Sequence, residues 1–95
     1  MPIYKGKQLD KMRDACGLAR DILLDSADQI KPGITTGEVD EYAASLMKKK
    51  NCISAFLGYK QTNGPEFPGN VCISVNDEIV HGIGGPRVIQ PGDII

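Results

Sequence analysis

The sequence predicts an α+β chain: two amphipathic helices, then a β-hairpin, then the start of a further strand. Three observations carry this. Apolar residues recur at helical spacing through the first half. Lys31-Pro32-Gly33 breaks that half in two. From Cys52 onward, short apolar runs alternate with glycine- and proline-rich stretches, the texture of strands and turns.

The first helix is expected from Gln8 to about Ile30. At 100° per residue, Leu9, Met12, Cys16, Ala19, Leu23, Ala27 and Ile30 fall within an arc of about 80°. Asp10, Asp14, Asp21, Asp25 and Asp28 fall within about 60° on the opposite side. The apolar arc reads as the core face and the aspartates as a solvated face, in preference to a cation site. Cys16, inside the arc, reads as a small core hydrophobe. Leu18 and Leu24 lie off the arc and call for a second covering surface.

The second helix has a clear start. Thr35 is placed to cap it, and Glu38 three residues on completes a capping box. Val39, Tyr42, Ala43, Leu46 and Met47 supply its apolar face. Lys48-Lys49-Lys50 suits the negative end of the helix dipole, a better reading than a nucleic-acid contact in a chain that is not basic.

Cys52–Leu57 reads as a short apolar strand. Gly58–Asn70, with three glycines and two prolines, reads as a shaped loop. Val71–Val75 and Glu78–His81 read as a hairpin turning at Asn76-Asp77. A glycine-rich loop and Val88-Ile89 follow, then a turn at Gln90-Pro91-Gly92-Asp93, then Ile94 and Ile95 as the start of another strand. A strand that stops after two residues leaves its pairing unfinished. The pattern therefore reads as a domain cut short, with a short edge strand at a natural end as the alternative. The glycine-rich stretches match neither a dinucleotide fingerprint nor a phosphate loop.

Composition narrows the function. Ninety-five residues make one small domain or part of a larger one. Eleven Lys and Arg against twelve Asp and Glu argue against nucleic-acid binding through bulk basicity. At 41% apolar the chain should fold. No apolar run approaches membrane-spanning length, and the first residues lack the apolar core of a signal peptide. Three cysteines, an odd number with no C-x-x-C spacing, read as reduced thiols in a cytoplasmic protein. With a single histidine, His81, a metal site built from several histidines is excluded within these residues.

A two-residue turn at Asn76-Asp77 would pair Ser74 with Ile79 and Cys72 with His81, their Cβ atoms about 5 Å apart. Three readings follow: a nucleophile–base dyad, a pocket in which His81 hydrogen-bonds a substrate, or two packing residues. On the residues alone, packing is favoured.

Three strings alter that balance. They are Lys31-Pro32-Gly33-Ile34-Thr35-Thr36-Gly37-Glu38-Val39-Asp40, then Phe67-Pro68-Gly69-Asn70-Val71-Cys72-Ile73-Ser74-Val75-Asn76-Asp77-Glu78-Ile79-Val80-His81-Gly82-Ile83, then Pro91-Gly92-Asp93-Ile94-Ile95. They closely resemble type I methionine aminopeptidases. The resemblance runs from about Ile3 to Ile95 and covers somewhat under half of a family member. It implies the pita-bread fold, two α/β halves around a dinuclear metal site, with residues 1–95 as the N-terminal portion of the catalytic domain. It implies removal of the initiator methionine from nascent polypeptides whose second residue is small, in the cytoplasm, with room for ribosome association but no direct nucleic-acid or membrane contact.

By the same resemblance, His81 contacts substrate and helps stabilise the reacting amide, and so counts as the catalytic residue here. Tyr59, Phe67 and Cys72 line the methionine side-chain pocket, with Phe56 a weaker match. Because the family forms no covalent enzyme intermediate, Cys72 as a nucleophile recedes. The family's two divalent ions (Co, Mn, Fe or Zn) are held by five ligands expected beyond Ile95, so no metal is expected to bind these residues alone. Lys60–Glu66 is longer than in shorter-looped members, and Gly84 stands where many have proline, which should loosen that loop. The alternatives to an aminopeptidase are a non-catalytic pita-bread-like binding module and, last, a free-standing cysteine–histidine enzyme.

Overall fold

The computed structural model describes residues 1–95. Two helices, α1 (Lys7–Ala27) and α2 (Thr36–Lys49), pack on each other and carry a series of loops. The molecule is a slab, 46 × 34 × 22 Å. No helix is long and apolar enough to cross a membrane.

The α2 start forms as expected. Glu38 N–H donates to Thr35 Oγ1 at 3.1 Å, and Thr35 N–H donates to Glu38 Oε2 at 2.7 Å. The reciprocal pair satisfies two of the orphan donors at a helix N-terminus. Thr36, Val39 and Ala43 are buried, which sets the inward face of α2. Val39, Ile73 and Ile89 form the core, with Ile30, Ile34 and Val71 packed against it.

Helix α1 departs from the expected orientation. Its buried residues are Ile22 and Ser26, with Leu18 half-buried. The face that packs is rotated from the apolar arc toward Leu18 and Ile22. Met12 and Leu23 are 42% and 68% exposed, and Cys16 is exposed too, so Cys16 is not a core residue. The helix also ends at Ala27. The amides of Gln29 and Ile30 turn back to Ser26 and Ala27 carbonyls at 3.1 and 3.0 Å, which brings Ile30 onto the core.

The hairpin and strand expectations are corrected: the chain has two helices and no extended sheet, only isolated antiparallel bridges. At Cys52–Leu57, Ser54 Oγ accepts the Phe56 and Leu57 N–H groups at 3.0 and 3.3 Å. This side-chain turn competes with strand formation. At the expected hairpin, Glu78 N–H reaches Val75 O at 3.1 Å, so a turn does form at Asn76-Asp77. The return segment does not zip up behind it. Glu78 Oε2 accepts the Val75 N–H at 3.4 Å, and Glu78 Oε1 accepts from Arg87 at 2.7 Å. Val80 and His81 then take left-handed backbone angles, φ 39° and 53°, uncommon for any side chain and an outlier for a β-branched one. Pairing resumes two residues late, with Cys72 opposite Ile83 instead of His81. Ile73 N–H donates to Gly82 O at 2.9 Å.

The Thr35–Val88 bridge ties a sequence-distant segment to the start of α2. Residues 33–36 lie antiparallel to 87–89, with Gly33 N–H to Ile89 O at 2.9 Å, Ile89 N–H to Ile34 O at 2.8 Å and Thr36 N–H to Arg87 O at 3.0 Å. Thr36 Oγ1 accepts from Gly85 N–H at 2.9 Å, and Gly37 N–H donates to Gly85 O at 2.9 Å. Gly84 lies close against the start of α2. A Cβ there would lie 2.9 Å from Thr36 O, so the small residue lets this loop seat directly on α2. The Gln90–Asp93 turn closes with Asp93 N–H to Gln90 O at 3.2 Å. Asn76 exchanges two bonds with Ile94, at 2.8 and 2.9 Å, in place of the expected new strand.

Candidate functional site

Helix α2 positions the site through one carboxylate. Asp40 Oδ1 accepts the backbone N–H groups of Asn70 and Val71 at 2.8 and 2.9 Å, and Asp40 Oδ2 accepts from Asn70 Nδ2 at 3.0 Å. This fixes the Phe67–Val71 loop. Phe67 in turn pairs with the Phe56–Tyr59 turn. Gly58 N–H donates to Phe67 O at 2.9 Å, Phe67 N–H to Tyr59 O at 2.8 Å and Tyr59 N–H to Phe56 O at 2.9 Å. The Phe56 and Phe67 rings meet edge-to-face, centroids 6.5 Å apart and planes at 69°, a favoured aromatic geometry.

Phe56 and Phe67 therefore come together as one wall, with Tyr59 tied to both through its backbone. Phe56 and Tyr59 are exposed, 50% and 61%, and Phe67 is half-buried. Beyond them the chain projects a short hairpin closed by the Lys60–Glu66 bridge. Cys72 lies five residues past Phe67, exposed and opposite Ile83. His81 is exposed on the left-handed turn, beside Gly82, whose N–H donates to Ser74 Oγ at 3.1 Å. The Cys72–His81 pairing that a nucleophile–base dyad needs is absent from this register. A cavity of about 330 Å³ lies under the Gly82–Arg87 loop, lined by Ile73, Val75, Glu78 and Ile83 among others, and none of the aromatic wall contributes to it.

No group of three or more His, Cys, Asp or Glu side chains is gathered closely enough to hold a metal ion. Two carboxylates are shifted, neither of them on the wall. Hydrogen bonds from Gln90 N–H and Asn76 hold Asp93 below the ordinary aspartate range. The Arg20 guanidinium does the same for Asp21.

Asp40, Asn70 and Ser54 were not singled out by the sequence reading. The signal was there for Asp40. Thr36, Val39, Asp40 and Ala43 follow i, i+3, i+4, i+7, so a carboxylate occupies a position on the buried face of α2.

The overall arrangement has a clear counterpart. The chain belongs to metallopeptidase family M24, whose model matches residues 10–95. The relatives it resembles are methionine aminopeptidases. Methionine aminopeptidase 1 of Bacillus subtilis is 44% identical over 89 residues, covering 94% of this chain and 34% of the relative. Methionine aminopeptidase 1 of Saccharomyces cerevisiae is 39% identical over 95 residues, covering 100% of this chain and 23% of the relative. The crystal structure of methionine aminopeptidase from Rickettsia prowazekii superposes with a TM-score of 0.88 at 32% identity, over 98% of this chain and 36% of that one. The pita-bread fold of the family is thereby supported here. The chain spans about a third or less of the length of these relatives.

Proposed function

We propose that these residues form the substrate-recognising part of a methionine aminopeptidase, which removes the initiator methionine from nascent chains with a small second residue. The observation that carries the proposal is the likeness to methionine aminopeptidases along 94% or more of the chain. The wall chemistry agrees with it. Aromatic rings make favourable contacts with a thioether, worth about 0.3–1.5 kcal/mol each. Phe56, Tyr59 and Phe67 would hold the methionine side chain, with Cys72 extending the pocket. His81, exposed on its left-handed turn, would hydrogen-bond the reacting amide through a ring nitrogen.

On this reading residues 1–95 bind and orient the substrate, and the divalent ions that such an enzyme uses (Co, Mn, Fe or Zn) are held by ligands outside them. A cytoplasmic location suits the excision of methionine from nascent chains.

The test is hydrolysis of Met-Ala-Ser by the full-length protein with each divalent metal. Methionine release is expected. His81→Ala should lower turnover far more than metal content, and Phe67→Ala should raise KM and relax side-chain selection. No release with any metal would refute the aminopeptidase reading and favour a binding module. Equal loss of metal and activity in His81→Ala would refute the role given to His81.

A further inference from the structure

The bonds at Asp40 continue beyond the loop it holds. Asn70, whose N–H and side chain both donate to Asp40, offers its carbonyl to the Ser54 hydroxyl. Ser54 Oγ then accepts the N–H groups of Phe56 and Leu57. One donor and two acceptor positions exhaust a hydroxyl, so Ser54 is fully used by this arrangement. Gly69 shows how tightly the near end is built. A Cβ there would lie 3.3 Å from Asp40 Oδ1 and 3.2 Å from Phe67 Cε1. The carboxylate and the Phe67 ring therefore both lie close beside Gly69 and leave little room for a side chain there, while Phe56 hangs from the far end of the chain of bonds. The two rings that meet edge-to-face are thus set from a single helix position.

We propose that Asp40, Asn70 and Ser54 form a polar relay that sets the spacing of the Phe56–Phe67 wall, making Asp40 a positioning residue for side-chain selection. Its consequence for selection rests on the aminopeptidase reading; the relay itself does not. Asp40 is hydrogen-bonded to neither ring's residue and acts through Asn70. A carboxylate is required because three N–H donors converge on it. An asparagine at 40 would turn an NH₂ group against at least one of them. Exchanging the two residues, Asp40→Asn with Asn70→Asp, restores every bond: the amide oxygen at 40 accepts both backbone N–H groups, and its NH₂ donates to the new carboxylate at 70.

The experiment is backbone amide exchange in the full-length protein, run beside hydrolysis of methionyl and leucyl peptides. Asp40→Ala should speed exchange at Asn70 and Val71 by about tenfold or more, the weight of a charge-assisted bond. It should also speed exchange at Phe56 and Leu57, which Asp40 does not touch. Ser54→Ala should release Phe56 and Leu57 while leaving Asn70 and Val71 protected. The exchanged pair should return all four amides to wild-type protection, whereas Asp40→Asn alone should not. In the hydrolysis arm, Asp40→Ala should raise KM about tenfold and weaken the preference for methionine, with kcat changed less than twofold. The relay is overturned if Phe56 and Leu57 are unmoved in Asp40→Ala, or if the exchanged pair fails to recover protection. If Asp40→Ala does not fold, Ser54→Ala and the exchanged pair decide the question by the same criteria. Absence of hydrolysis in the wild type would sink the aminopeptidase reading and leave the exchange result to judge the relay.

Discussion

Replacing Gly82 with alanine should be among the most damaging single changes in this chain. The reason is space, since Gly82 does not occupy the left-handed region. A methyl there would collide with the Ile73 carbonyl oxygen and lie 2.7 Å from its carbon and 2.8 Å from Ser74 Cα. All three are backbone atoms, so no side-chain rotation relieves the clash. The Cys72–Ile83 contact must open instead, endangering the Ile73 N–H to Gly82 O bond and the Gly82 N–H to Ser74 Oγ bond. Overpacking costs about 1–3 kcal/mol and each bond about 0.5–1.5, which gives about 2–6 kcal/mol together. That is a large share of a typical stability of about 5–15 kcal/mol. Ile73 is in the core at 6% exposure, so the strain reaches Val39 and Ile89. The assay is denaturant unfolding of the full-length protein, with Gly85→Ala as control because a Cβ at Gly85 meets nothing within 4 Å. The control should stay within about 0.5 kcal/mol of wild type. If Gly82→Ala unfolds with the control, the backbone clash is not real.

Three further outcomes are expected. Thr35→Ala should cost about 0.5–2 kcal/mol by removing the cap, and adding Glu38→Ala should cost less than it does alone, since the two share one box; additive losses in unfolding titrations would refute the coupling. Asp93, with its pKa depressed by Gln90 N–H and Asn76, should add stability that is complete above the ordinary aspartate range and lost as pH falls through its lowered pKa; NMR titration should show the low midpoint, and Asn76→Ala should raise it. Residues 1–95 expressed alone should associate, because their 7,329 Å² of accessible surface exceeds by about 2,000 Å² what a compact 10.2 kDa protein exposes. A sharply melting monomer in light scattering and calorimetry would contradict that.

How much could be read in advance divides along physical lines. The start of α2 was legible because Thr35, Glu38, Val39 and Ala43 act within two turns of one another. The Gln90–Asp93 turn was legible for the same reason, Pro91-Gly92 being local chemistry. The return of the hairpin was not, because its register depends on Glu78 being drawn away to Arg87, a partner nine residues off. Periodicity identified α1 but misjudged its inward face, since Met12, Cys16 and Leu23 form the longer apolar stripe while α2 packs beside it. At the candidate site, the aromatic residues were marked by resemblance. The place of Asp40 on the buried face of α2 shows in the spacing, but its partners do not, because hydrogen bonds spanning 30 residues leave no trace there.

Helix α2 receives two loops on consecutive turns, one through Thr36 to Gly85 and one through Asp40 to Asn70. Both roots are pinned, while Gln61–Gly64 at the hairpin tip extends past every such fastening. Lengthening a flexible tip costs only logarithmically in closure entropy, about 0.6 kcal/mol for each doubling. Insertions and deletions can therefore accumulate at the tip over generations while the aromatic wall below keeps its place. The tip is free to diverge among related proteins faster than the wall, so, on the proposed aminopeptidase reading, a change of preference for the residues after methionine needs no rebuilding of the fold.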